Sequence, residues 1–156
     1  IHQCYEFALP AVPMSAVEEM IADKLARFRR DSLARDLYDL AWFASRPFDE
    51  PLVRRLLVLK VWVDVVDDSL GERPFDPEDV LGDRSSREFE REAIGYLTTP
   101  VDIPGWIRRV RERFVFLRDL DEEEQLISRC SKGEEWLVRR RIEDLGHEPD
   151  AAKYEA

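Results

Sequence analysis

Histidine and cysteine are nearly missing from this 156-residue chain: His2, His147, Cys4 and Cys130 are the full set, and they lie far apart. No pair has the spacing of a zinc site, and no Cys/His couple offers a nucleophile with its base. Without a disulfide framework the chain fits a reducing compartment, so a cytoplasmic location is expected. Long apolar runs are absent as well. None reaches the roughly 18–20 residues of a membrane span, and the N-terminus lacks the basic-then-apolar pattern of a secretory leader. There is no Gly-rich phosphate loop, no Gly-x-Ser-x-Gly and no His-Glu-x-x-His. No internal repeat or low-complexity segment occurs.

Lysine is scarce in a different way. Of 24 cationic residues only Lys24, Lys60, Lys132 and Lys153 are lysine, which leaves 20 arginines. Arginine is the better fork for carboxylates and phosphates, although genome composition explains such a bias equally well. Acids outnumber both and set a formal net charge of −10. A coat of that sign repels nucleic acid, which disfavours a general DNA-coating protein and leaves room for a local phosphate site.

What is present is enough apolar residue for a core, 44% of the chain. A globule of this length buries about 68–70% of its unfolded surface and needs no metal or disulfide staple. Ile1 to Ala8 reads as a strand ended by Pro10 and Pro13. A lone strand is not stable, and the chain begins at Ile1 without a Met, so an upstream segment is expected. Ser15-Ala16-Val17-Glu18 has the form of a capping box, with Met14 as its staple. The helix it opens should run to about Arg30 with Val17, Met20, Ile21, Leu25 and Phe28 on one face. After the connector Asp31-Ser32, a second helix is expected from Leu33 to about Ser45, with Leu33, Leu37, Leu40, Ala41 and Ala44 inward and nearly antiparallel to the first.

Asp49-Glu50-Pro51 is a good start for a third helix, whose stripe should be Leu52, Leu56, Leu59, Val63 and Val66. Its β-branched end from Val61 to Val66 would suit a strand, but the longer period favours helix. Gly71 to Ser86 reads as an irregular connection with one helical turn, followed by a helical pattern from Arg87 to Leu97. The run from Thr99 to Gly105 should break it. Trp106 to Leu117 is then amphipathic, with Ile107, Val110, Phe114 and Leu117 on one face. Asp121 to Cys130 and Glu134 to Leu145 follow, with a frayed tail from Gly146. The expected division is a strand region over 1–13, a helical domain over 14–145 and a tail over 146–156.

One position conflicts with its helix. Lys24 falls among Ile21, Leu25 and Phe28, whereas Glu19, Asp23, Arg27 and Arg30 take the solvent face. A lysine in an apolar stripe needs a counter-charge, an anionic ligand, or room to reach out to water. The second helix supplies partners. Asp36 sits at the edge of its apolar face, Asp39 follows at i+3, and Arg35 at i−4 from Asp39 can orient it. A lysine and two carboxylates on adjacent helices suit a triphosphate and its magnesium; an interhelical ion-pair cluster fits the same pattern.

Arg108, Arg109, Arg111 and Arg113, and separately Arg139, Arg140 and Arg141, are candidates for touching a nucleic-acid backbone or for forming a salt-bridged face. Asp119-Leu120-Asp121 has the spacing of a metal-binding Asp-x-Asp, but it reads as a helix cap.

The stretch Met14-Ser15-Ala16-Val17-Glu18-Glu19-Met20-Ile21-Ala22-Asp23-Lys24-Leu25, followed by Ala34-Arg35-Asp36-Leu37-Tyr38-Asp39-Leu40, resembles the AbiEii/AbiGii nucleotidyltransferase toxins of bacterial abortive-infection and toxin–antitoxin pairs. Those proteins read Ser-x-Glu-Glu-x-x-Ala-x-Lys-Leu, a short gap, then Arg-Asp-x-x-Asp-Leu. The match covers about residues 10 to 45.

The resemblance implies a mainly α chain: the helical C-terminal region of an α+β nucleotidyltransferase-like protein, with one strand left over from the sheet. It implies Lys24 and Arg35 at nucleotide phosphates, Asp36 or Asp39 completing the catalytic site, and Mg2+ as cofactor. It also implies transfer of a nucleoside monophosphate from an NTP to an RNA acceptor, the tRNA 3′ end first among them, and a cognate antitoxin partner. The family's Gly-Ser turn and metal-binding Asp-x-Asp precede this motif, and nothing before Ser15 supplies them. The chain is therefore expected to be a C-terminal portion, not catalytic alone. The alternatives are a non-catalytic helical module that docks an antitoxin or a partner subunit, and a degraded homologue that has lost the sheet half.

Overall fold

The computed structural model describes residues 15–66, 74–89, 94, 97 and 100–146. These residues form α1 (Val17–Arg30), α2 (Ala34–Phe43), α3 (Glu50–Val66), α4 (Glu78–Leu81), α5 (Ile103–Arg113), α6 (Glu122–Arg129) and α7 (Glu135–Gly146). Short 3-10 turns at Val115–Arg118 and Lys132–Glu134 precede α6 and α7. The chain is mainly helical, and no β-strand occurs among the described residues. The strand expected at Ile1 to Ala8 lies outside them, as do the tail beyond Gly146 and most of the helix expected from Arg87 to Leu97.

The helices pack in the order α5–α2–α1–α3–α6, with α4 touching α1 and α5. α1 is thus central. It buries Ile21, Ala22, Leu25, Ala26 and Phe28, the 3- and 4-residue spacing that makes one face. Fully burying each large apolar side chain contributes about 1.5–3 kcal/mol. Val17, expected inside, is exposed. The predicted capping box is not formed either. Ala16 is the N-cap with no side-chain cap bond, and Glu18 instead accepts the backbone N–H of Asp49 at 3.1 Å. That bond ties the start of α1 to the start of α3, a tertiary use of a side chain that the local pattern assigned to its own helix.

Where α3 begins, the expectation holds: Asp49 accepts the Leu52 N–H at 3.0 Å, and Pro51 sits in the first turn, where its missing N–H costs nothing. The helix continues through Val61–Val66. Its inward face differs from the predicted stripe. Val53, Leu57, Val58, Leu59, Val61 and Trp62 are buried, whereas Leu52 is exposed and Leu56, Val63 and Val66 are half-buried. α3 is apolar nearly all round, so its periodicity cannot choose a face; burial between α1 and α6 chooses it. At its far end the Trp62 indole N–H donates to the Cys130 carbonyl at 2.9 Å, fastening α3 to the end of α6.

α5 starts three residues earlier than expected. Asp102 caps it, accepting the Gly105 N–H at 3.0 Å, and Pro104 occupies the first turn rather than breaking the helix. A Cβ at Gly105 would lie 2.0 Å from an Asp102 carboxylate oxygen, so a larger residue there would displace the capping side chain. The helix ends at Arg113, so Leu117 belongs to the 3-10 turn, while Ile103 and Trp106 join Val110, Phe114 and Leu117 in the core. Phe48, Phe114 and Phe116 form a ring cluster with centroids 5.7 to 6.1 Å apart. Asp121 caps α6 in a reciprocal capping box with Glu124, the cap role read from the sequence.

Candidate functional site

α1 and α2 are joined by only three residues, so their facing sides meet close to the turn. Asp36 on α2 was expected at the edge of the apolar face; it is fully buried. A bare carboxylate there would cost several kcal/mol. It is neutralised by α1. Arg27 grips it with two hydrogen bonds, Nε to one oxygen at 2.6 Å and a terminal nitrogen to the other at 2.7 Å. Lys24 adds a longer contact at 3.5 Å. The bond to Asp36 raises the Arg27 pKa above the ordinary arginine value, against a smaller opposing effect of burial.

Lys24 is the hinge of the cluster. Its ammonium also lies 2.6 Å from an Asp39 oxygen. Lys24 is 23% exposed and Asp39 40%, against 0% for Asp36. The lysine therefore leaves the stripe at its edge, with a buried carboxylate behind it and a half-open one beside it. The structure brings Lys24, Asp36 and Asp39 together as the motif implied. It does not bring Arg35 to them: Arg35 is exposed and makes no ion pair or hydrogen bond with a described residue. Arg27, assigned to solvent in the sequence reading, takes the place at the carboxylates. The available signal was its position one turn beyond Lys24, on the same side of α1.

These side chains do not form a magnesium site. Both Asp36 oxygens are held by a guanidinium, Asp39 sits against an ammonium, and no group of three or more potential ligands occurs among the described residues. Asp119 and Asp121 do not change this, since Asp121 is used as a cap.

The arginine runs are mostly salt-bridged. Arg113 pairs with Glu50 and covers the Phe48 ring at 4.1 Å. Arg111 lies 2.8 Å from Asp83, Arg139 pairs with Glu135, and Arg141 lies 3.2 Å from Glu123. Arg108 and Arg109 are exposed without an ion pair to a described residue. Deeper, Glu124 is 1% exposed and meets Arg54 at 2.6 Å, pinning α6 to α3.

The cluster lies on the sequence Lys24…Arg35-Asp36-x-x-Asp39. The family model described as "Nucleotidyl transferase AbiEii toxin, Type IV TA system" matches residues 1–126, and the chain belongs to this family of nucleotidyltransferase toxins. Among solved structures it is similar to MenT4, a nucleotidyltransferase toxin from Mycobacterium tuberculosis H37Rv, with 55% identity and a TM-score of 0.79 over 92% of this chain and 48% of that one. The chain thus spans about half the length of that relative. No curated protein matches it. No described helix is long and apolar enough to cross a membrane.

Proposed function

We propose that this chain is the helical, nucleotide-holding C-terminal part of a toxin that transfers a nucleoside monophosphate from an NTP to an RNA acceptor, the 3′ end of tRNA being the first choice. The observation that supports it best is the Lys24 ammonium held at the edge of a closed core between a buried and a half-open carboxylate. A lysine so fixed presents a cation at a defined point, which suits a triphosphate. In the reaction an acceptor hydroxyl oxygen bonds to the α-phosphorus, the α–β bridging bond breaks, pyrophosphate leaves with the electron pair, and the hydroxyl proton passes to water. Lys24 holds the triphosphate and offsets its charge. Asp39, open to solvent, positions the acceptor; Asp36 and Arg27 position Lys24. Arg35, exposed on the same helix, is left for an outer phosphate.

Magnesium belongs to this reading as the family's cofactor, with ligands on parts of the protein outside the cluster. Residues 14–145 act as one helical domain. A cognate antitoxin as partner and a cytoplasmic site of action complete the proposal.

Lys24→Ala in the intact protein should abolish growth arrest without unfolding it, and undiminished arrest would remove Lys24 from the site. One observation favours the second reading, a non-catalytic binding module: the buried half of the cluster is internally satisfied. Strong coupling between Lys24 and Asp39 in stability, with NTP binding unchanged by either mutation, would favour that module.

A further inference from the structure

A cleft of about 710 Å³ opens between α4, α5 and the 3-10 turn at Val115–Arg118. Arg84, Arg108, Arg111 and Arg118 line it, with Glu112 as the single acid among the described lining residues. In a chain of net charge −10 this is a local reversal of sign. Pro104, Ile107 and Val115 give the cleft an apolar wall, and Val115 is 50% exposed.

The four guanidiniums are not equivalent. Arg84 is the fixed one. It donates to the Asp79 carbonyl at 2.6 Å and to the Ser32 hydroxyl at 3.4 Å, and it stacks on the Phe28 ring at 4.2 Å. Those hydrogen-bond partners are neutral, and burial lowers the Arg84 pKa from its ordinary value, with Glu88 and Asp79 opposing the shift by charge attraction. Arg111 and Arg118 are held only by rim carboxylates, Asp83 and Glu78, each at 2.8 Å and both well exposed. Exposed pairs of this kind are worth about 0–1 kcal/mol, so a phosphate can displace them. Arg108 has no ion pair with a described residue. Planar forks beside an apolar wall are the chemistry that holds a phosphodiester and stacks or shelters an unpaired base.

We propose that this cleft binds single-stranded RNA, backbone phosphates on Arg108, Arg111 and Arg118 and one unstacked base against Ile107 and Val115. The inference rests on the reading of the protein as an RNA-modifying transferase and locates where its acceptor docks. Phe28 of α1, against which Arg84 stacks, directly follows Arg27, so one arginine of the cleft rests on the helix that holds the lysine cluster.

The test is fluorescence anisotropy of the whole chain with a labelled single-stranded RNA of about twelve nucleotides, titrated over a range of salt. The expected result is salt-dependent binding that an Arg108→Glu/Arg111→Glu variant weakens by about tenfold or more. The salt slope should fall by about 1.4, the value for two lost phosphate contacts on a single strand. An Arg108→Gln/Arg111→Gln variant guards against misfolding and should show a smaller loss in the same direction. Arg139→Gln, an exposed position paired with Glu135 and outside the cleft, should leave RNA affinity within about twofold.

Equal affinity of wild type and both arginine variants overturns the proposal. So does RNA binding that Arg139→Gln weakens as much as the cleft variants do, which would mean attraction to exposed arginines in general and leave the transferase reading standing. A chain that binds a labelled oligo-glutamate peptide but no RNA also overturns it, and assigns the cleft to an acidic protein partner. Loss of NTP binding in Lys24→Ala is a separate readout, so the two ideas fail independently.

Discussion

Replacing Asp36 and Asp39 one at a time by asparagine separates the anchor of the cluster from its open face. Asp36 is fully buried and receives two short hydrogen bonds from Arg27. Hydrogen bonds to charged groups contribute about 1.5–3 kcal/mol each, and breaking a buried pair costs about 3–5 kcal/mol. Arg27 is 39% exposed, so water recovers part of its loss. Asparagine also keeps an acceptor and the shape. The expected cost of Asp36→Asn is therefore about 2 kcal/mol, and of Asp36→Ala about 3–4 kcal/mol. Asp39 is 40% exposed and has one described ion-pair partner, so Asp39→Asn should cost under about 1 kcal/mol. Urea unfolding at neutral pH reads both, provided the m-value is unchanged. Asp39→Asn should instead lower transfer to the acceptor more than it lowers NTP affinity. An Asp36→Asn cost below about 0.5 kcal/mol, or an Asp39→Asn cost above that of Asp36→Asn, would refute the assignment of anchor and open face.

Arg54→Leu, which leaves the Glu124 carboxylate buried beside α3, should destabilise by about 3–5 kcal/mol in the same assay; a neutral result would mean water reaches Glu124. Asp102→Ala should cost about 1 kcal/mol through loss of the α5 cap, visible as a lower thermal midpoint. Burial raises the Cys130 thiol pKa, with a smaller push from Glu134, so in a Cys4→Ser background it should react far more slowly with a disulfide reagent at pH 8 than the same chain in urea. Glu134 is lowered by hydrogen bonds from the Ser131 N–H and hydroxyl. Its contribution is present above the ordinary carboxylate range and lost as pH falls through the folded value. The protection of the Ser131 amide, relative to its intrinsic exchange rate at each pH, should accordingly fall on acidification before α1 to α3 lose protection.

Much of the helical framework was legible because it is local. The 3- and 4-residue spacing of α1 and α2, the Asp49 and Asp121 caps and the Pro51 start are properties of short segments, and the helices appear there within a residue or two. The α5 start was missed because Asp102-Ile103-Pro104-Gly105 contains both breaker and cap signals, and the cap won once Gly105 allowed the Asp102 carboxylate to close on the helix. That Lys24, Asp36 and Asp39 belong together also followed from sequence, since a lysine in an apolar stripe calls for carboxylates on the neighbouring helix.

What the tertiary structure alone decided is rotation and pairing. α3 is apolar on most sides, so only its place between α1 and α6 selected Val53, Leu57 and Val61 over Leu52 and Val66. The rotation of α2 against α1 buried Asp36 rather than leaving it at an edge and brought it to Arg27, while Asp39 met Lys24 and not Arg35. Helix formation is dictated by hydrogen bonds within each segment. Which charge meets which depends on an interhelical register that no single segment contains.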